Sequence, residues 1–225
     1  MTIYDEDNLP FADNADSRLP VVGVFDSSAS MMGAKIDALN NGIQKLYSTL
    51  NDDVLCRRRV DFAAIRCGGS SAEVVQPMVT INEIVEGRLP SFTASGGTPM
   101  EQSLQLALDL VKNRKAILRE NGVDYYKPII IIITDGHFRL SSPTRDRLHA
   151  SEEKGGHTIL PIGVSGADAK SLASTSASGL ALMIDDVDFS EMIDFLSNSL
   201  KSVSQSTPGE EISIVPPECM RVIKL

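Results

Sequence analysis

Five oxygen-bearing side chains stand where a ligand site can be built. Asp26-Ser27-Ser28-Ala29-Ser30 directly follows an apolar run, Leu19 to Phe25. Thr98 follows two glycines, Gly96 and Gly97, and Thr134-Asp135-Gly136 ends the most apolar stretch of the chain, Pro128 to Ile133. Asp26, Ser28, Ser30, Thr98 and Asp135 offer carboxylates and hydroxyls, with no imidazole or thiolate among them. An all-oxygen set suits a hard divalent cation, Mg²⁺ first, with Mn²⁺ or Ca²⁺ as competitors. Ser28 and Ser30, two apart on a tight turn, can face one ion while Ser27 and Ala29 point elsewhere. The glycines at 96 and 97 let the Thr98 loop approach closely. Two carboxylates and one divalent ion sum to zero charge. An acidic oxygen from outside can therefore still bind the ion, unlike in an EF-hand-like cage that closes its own shell.

These residues need elements to hold them. Residues 19–25 read as a buried strand ending at Asp26. Ile36, Leu39, Ile43, Leu46 and Leu50 recur at helical spacing over 35–50. Residues 60–67 and 72–79 read as two strands joined by Gly68-Gly69-Ser70-Ser71, a hairpin-type connection. Pro99 suits a first helical position, and Leu104, Ala107, Leu108, Val111 and Leu118 make one stripe over 100–118, stopped by Asn121-Gly122. The isoleucine run at 129–133, bounded by Pro128 and Asp135-Gly136, predicts a central strand buried on both faces. Beyond it, helices are expected over 144–154, 169–175 and 189–203, and strands over 156–163 and 180–184. Strands alternating with helices imply βαβ units. The expected fold is α/β: a doubly wound, mainly parallel six-stranded sheet with one antiparallel edge strand and helices on both faces. In such a sheet, ligands sit beyond the carboxyl ends of the strands, where strand order reverses. The three oxygen-bearing segments should meet there.

Composition narrows the partners. The chain has 225 residues, with 21 Lys and Arg against 30 Asp and Glu, a net charge of -9. That argues against nonspecific binding to nucleic acid or to an anionic membrane face. Arg57-Arg58-Arg59 is the one basic run and reads as a solvated edge. The longest apolar run, Pro128 to Ile133, is too short to span a bilayer. Cys56, Cys67 and Cys219 form neither a disulfide framework nor a zinc site, which points to reduced thiols in a cytoplasmic protein. The N-terminus lacks the basic and apolar regions of a signal peptide. With no Trp and 5% aromatic residues, the core must be aliphatic.

Asp26-x-Ser28-x-Ser30, then Thr98, then Asp135, resembles the metal-ion-dependent adhesion site of von Willebrand factor type A domains. Both aspartates follow predicted strands, and Ser-Gly-Gly-Thr-Pro surrounds the threonine. The resemblance spans about residues 19–204. It implies a leader over 1–18, a domain over 19–206 and a tail over 207–225. It also implies that Ser28, Ser30 and Thr98 supply hydroxyl ligands, and that Asp26 and Asp135 act directly or through water. An Asp or Glu of a protein partner would complete the metal shell. Ser27, Met31, Gly97, Gly136 and His137 would then form the partner-binding rim. Ala29 departs from the family's usual Gly. Three segments, Ala38-Leu39-Asn40-Asn41-Gly42-Ile43, Ile132 to Gly136, and Leu200 to Gly209, are similar to small bacterial members associated with tellurium-resistance clusters. On this reading the chain is a metal-dependent protein-binding module without chemistry of its own, with partners among stress-response proteins.

Other readings compete at each position. The five site residues would also serve as N-caps and turn formers after strands. The alternative function is a Mg²⁺-dependent phosphoryl-transfer or hydrolytic enzyme using Asp26. Aspartyl-phosphate chemistry asks for a second Asp two residues on, where Ser28 stands. No Gly-x-Ser-x-Gly elbow follows a strand, and neither the Walker pattern nor Gly-x-Gly-x-x-Gly follows the first. His137, His149 and His157 are scattered and read as surface or hydrogen-bonded residues. Asp185, Asp186 and Asp188 read as a strand-to-helix connection with an acid near the helix start. The methionines at 31, 32, 100, 183 and 192 read as core or rim, Met31 and Met32 also as candidates for the binding face.

Overall fold

The computed structural model describes residues 14–85, 88–185, 189–210 and 215–224. The elements are β1 (Leu19–Asp26), α1 (Ala34–Asp52), α2 (Cys56–Arg59), β2 (Val60–Gly68), β3 (Ser71–Thr80), α3 (Met100–Glu120), β4 (Ile129–Thr134), α4 (Ser142–Glu153), β5 (Thr158–Gly163), α5 (Ala169–Ala173), β6 (Leu180–Met183), α6 (Ser190–Gln205) and β7 (Arg221–Lys224). They build one seven-stranded sheet in the order β3-β2-β1-β4-β5-β6-β7. The central five strands run parallel, and β3 and β7 pair antiparallel at the two edges.

The isoleucine run explains how the sheet is covered. Side chains alternate along a strand, so a strand buried on both faces must be apolar at every position. Ile129, Ile131 and Ile133 enter the core beneath α1 and α6, with Ile36, Leu39, Ile43, Ile193, Leu196 and Leu200. Ile130 and Ile132 enter the opposite core, with Leu104, Ala107 and Val111 of α3, Leu148 of α4 and Leu172 of α5. All six residues of β4 are buried.

The expected fold class is present, with one strand more than anticipated. Residues 221–224, expected in a tail, add β7 to the edge. The basic run is a short helix rather than an open edge: Arg58 and Arg59 reach Asp16, and Arg59 donates to the Ser204 carbonyl. Pro99 caps α3 one position before the first helical residue, Met100. The β2–β3 hairpin turns at Gly69, which takes a φ of +72°. Among the described residues, no helix is long and apolar enough to cross a membrane.

β1 lies between β2 and β4, and the chain leaves β1 toward one side and returns on the other. That is the switch point at which an open α/β sheet leaves a crevice. In the register, Phe25 stands opposite Ile133. Asp26 and Thr134 are therefore neighbours at the carboxyl ends, and Asp135 follows one residue beyond.

Candidate metal centre

Asp26 closes β1 and is completely buried. Its Oδ1 accepts a hydrogen bond from the Ser28 backbone N–H at 2.8 Å, which tightens the turn after the strand. Its Oδ2 accepts one from the Thr134 hydroxyl at the end of β4. Thr134 Oγ1 in turn accepts from the Gly136 N–H at 2.9 Å. Burial pushes the Asp26 carboxyl above its ordinary range, the nearby Asp135 adds to this, and the bonds from Thr134 and Ser28 work against it.

Asp135 is held by two donors. Ser30 Oγ donates to Oδ1 at 2.7 Å, and Lys35 Nζ lies 2.5 Å from Oδ2. Ser28 and Ser30 share a hydrogen bond at 2.9 Å, so both hydroxyls face the carboxylates as the alternation required. Thr98 arrives from the third loop. A Cβ built on Gly136 would stand 3.1 Å from Asp26 Oδ2, 3.2 Å from Thr98 Oγ1 and 3.3 Å from Thr134 Oγ1. Thr98 Oγ1 and the Asp26 carboxylate thus face one cradle, kept open because residue 136 has no side chain.

Backbone bonds fix the loops against one another. Ser95 N–H donates to the Ser27 carbonyl, Ala29 N–H to Gly96, Gly69 N–H to Ser95 and Gly97 N–H to Gly69, all between 2.8 and 3.0 Å. Gly96 has a φ of +63°, and a Cβ there would lie 2.6 Å from the Gly69 Cα. Only glycine permits that approach, and it carries Thr98 to the carboxylates.

All five predicted ligand residues converge. The rim is less uniform. His137 is exposed and stands 3.9 Å from Asp168 through Nδ1, and Gly97 is exposed. Gly136 lies within the cradle. Ser27 and Met31 are not on the surface: Ser27 packs over Gly68, and Met31 is fully buried in the core with α1. The short 3₁₀ turn Ala29–Met31 points Met31 inward and leaves Met32 69% exposed. Sequence reasoning missed Lys35 and the supporting role of Thr134. Thr134 is signalled only by its place before Asp135, and Lys35 by its place in the first turn of a helix that follows the serines.

The other candidates take structural roles. His149 bonds the Ser174 carbonyl and His157 bonds Ser151. Asp185 pairs with Arg221, while Asp186 and Asp188 lie outside the described residues. Met100, Met183 and Met192 are core.

The donor set fits a hard cation. It holds two carboxylates and three hydroxyls in one buried-to-surface transition. Among the described residues no group of three or more His, Cys, Asp or Glu is placed to hold a metal. An ion at this cradle would find hydroxyl oxygens beside the two carboxylates, donors that suit Mg²⁺ and Mn²⁺ better than softer ions.

The family description of the von Willebrand factor type A domain matches residues 21–137. No curated protein sequence matches the chain. Among solved structures, it is similar to the vWF domain of the type V pili tip protein Mfa5 from Porphyromonas gingivalis, with a TM-score of 0.65, 11% identity, and coverage of 88% of this chain and 99% of that one. It is also similar to the pilus adhesin SpaC from Lactobacillus rhamnosus GG, with a TM-score of 0.62, 16% identity, and coverage of 84% and 30%. A third likeness is to proximal thread matrix protein 1 from the mussel byssus with a zinc-occupied MIDAS motif, with a TM-score of 0.52, 17% identity, and coverage of 85% and 48%. This chain spans about half the mussel protein and under a third of SpaC.

Proposed function

Because the chain belongs to the von Willebrand factor type A family, we propose that it is a metal-dependent protein-binding module whose ion is held by Asp26, Ser28, Ser30, Thr98 and Asp135. The observation that carries this reading is the convergence of those side chains, from three loops, on the cradle at Gly136. The zinc-occupied motif of the mussel protein and the adhesin role of SpaC support it. Mg²⁺ is the proposed ion, on the hardness of the donors. When bound, the ion supplies a Lewis-acidic position for a carboxylate of the partner. Asp26 and Asp135 contribute charge, and the Ser28–Ser30 pair holds the hydroxyls on one side. The backbone bonds among the 27–29, 69 and 95–97 segments keep the donors in place before any ligand arrives.

A protein with a net charge of -9 would repel an acidic partner at long range. The cation removes that conflict locally, so binding depends on metal. We place the partner among proteins of a bacterial tellurium-resistance or stress-response system, on the three segments similar to those members, and the module in the cytoplasm, on its reduced thiols.

The test is a Mn²⁺ titration of wild type and Asp26→Asn, followed by capture of an acidic protein ligand in Mg²⁺ and in EDTA. Stoichiometric binding lost in the variant, and capture lost in EDTA, support the reading. Equal titrations would remove the site assignment. A phosphatase or esterase activity of the purified wild type that disappears in Asp26→Asn would favour the enzyme reading.

A further inference from the structure

Lys35 reaches the centre from the first turn of α1, and its ammonium lies 2.5 Å from Asp135 Oδ2. The Asp135 side chain is 1% exposed and that of Lys35 23%, so the pair is shielded from solvent more than an ordinary surface ion pair. The second oxygen of Asp135 accepts from Ser30, and both oxygens of Asp26 are already accepting. Each carboxylate is therefore satisfied by this chain alone. A divalent ion does not enter a repulsive pair of bare acids. It competes with an ammonium already seated on one of them.

The charges decide the consequence. Asp26, Asp135 and Lys35 sum to -1, and adding a divalent ion makes +1. Without Lys35 the same sum starts at -2 and ends at zero. Lys35 thus makes the first event, loading of the ion, less favourable. It makes the second event, arrival of an anion, more favourable. We infer that Lys35 is a built-in counter-cation that weakens metal binding alone and strengthens the loaded centre's hold on a carboxylate. This rests on the metal-site reading above, and extends it to a residue outside the ligand set. A mere positioning role for Lys35 would predict the reverse for the metal, since freeing Asp135 would loosen a ligand.

The experiment uses the full chain at fixed pH and low ionic strength. Free Mn²⁺ is followed by electron paramagnetic resonance for wild type, Lys35→Met, Lys35→Gln, Lys35→Arg and Asp26→Asn. Acetate is then titrated into the Mn²⁺-saturated proteins, read by loss of water-proton relaxation enhancement. Even at the dielectric of bulk water, a unit charge roughly 5 Å from a divalent one corresponds to about a tenfold effect, so that figure is the lower bound for this shielded site. Lys35→Met and Lys35→Gln should bind Mn²⁺ about tenfold more tightly and acetate several-fold more weakly, while Lys35→Arg stays near wild type on both. Unchanged or weaker Mn²⁺ binding in both neutral variants, or unchanged acetate binding, overturns the role of Lys35 alone, provided wild type binds Mn²⁺ and Asp26→Asn does not. If wild type takes up no Mn²⁺, the metal centre itself falls, and this inference with it.

Discussion

Gly136→Ala separates the proposed metal centre from the fold. Gly136 does not adopt a left-handed φ, so its backbone accommodates alanine without strain. The added methyl, however, would lie 3.1 Å from Asp26 Oδ2, 3.2 Å from Thr98 Oγ1 and 3.3 Å from Thr134 Oγ1, where ordinary contact begins at 3.4 Å. Each oxygen must retreat by a few tenths of an ångström. Cation sites tolerate about ±0.2 Å in ligand distance. Two of the five ligand groups then miss their positions together. Disturbing the support of metal ligands commonly costs about 10- to 100-fold in affinity, and the loss here should reach the upper part of that range because the ligands themselves are displaced.

Stability should move far less. Replacing glycine by alanine at a compatible φ stabilises by about 0.4–1 kcal/mol through the unfolded chain, and the mild crowding offsets it. The assay pairs Mn²⁺ titration with thermal unfolding in EDTA. The contrasting control is Gly122→Ala after α3, where φ is +66° and nothing stands within 4 Å. That variant should lose about 1 kcal/mol of stability and keep its metal affinity. If Gly136→Ala binds Mn²⁺ like wild type, the cradle is not where the ligands meet, and the geometric basis of the site is wrong.

Four further outcomes are expected. Gly96→Ala combines a φ of +63° with a Cβ 2.6 Å from the Gly69 Cα, so both melting temperature and Mn²⁺ affinity should drop. Asp61→Ala removes the buried carboxylate that accepts from Arg114 and Thr80, beside buried Arg18, and should cost about 3 kcal/mol in urea unfolding. His157 is buried, chiefly by that burial its pKa falls to about 4, and it is neutral in the fold. Its contribution is complete above the unfolded value of 6.5 and is lost as pH falls from there toward 4, by about 3 kcal/mol, a slope that His157→Asn should lack in pH-dependent melting. Burial raises the thiols of Cys56 to about 11 and Cys67 to about 12, while Cys219 is exposed, so a thiol reagent should label Cys219 first and the others only on unfolding.

Much of the candidate site was legible because the residues that converge on it also end strands. An apolar run followed by Asp marks the carboxyl end of a buried strand, and two such ends, at Asp26 and Asp135, can meet only where those strands neighbour each other. The Gly96-Gly97 pair marked the third loop for the same reason that it works: its backbone must approach another. β7 left no such mark. Arg221–Lys224 is four residues long, two of them charged, and mostly exposed. An edge strand in which only Ile223 packs partly against the core shows no alternation to find, and Pro216-Pro217 before it reads as the start of a tail.

The burial of Met31 follows from one geometric fact. Met31 and Met32 are chemically identical neighbours, and nothing in their composition says which one faces inward. The 3₁₀ turn Ala29–Met31 decides it, and that turn exists because Asp26 accepts the Ser28 N–H while Gly96 accepts the Ala29 N–H. The orientation of a core residue is therefore set by the hydrogen bonds of the ligand loop. The same bonds aim the Ser28 and Ser30 hydroxyls at the carboxylates. Met31 in the core and the serines at the centre are two ends of one constraint. A substitution that forces Met31 out, such as Met31→Glu, should accordingly weaken Mn²⁺ binding together with stability, whereas Met32→Glu, at an exposed position, should leave both near wild type and change only the capture of an acidic partner.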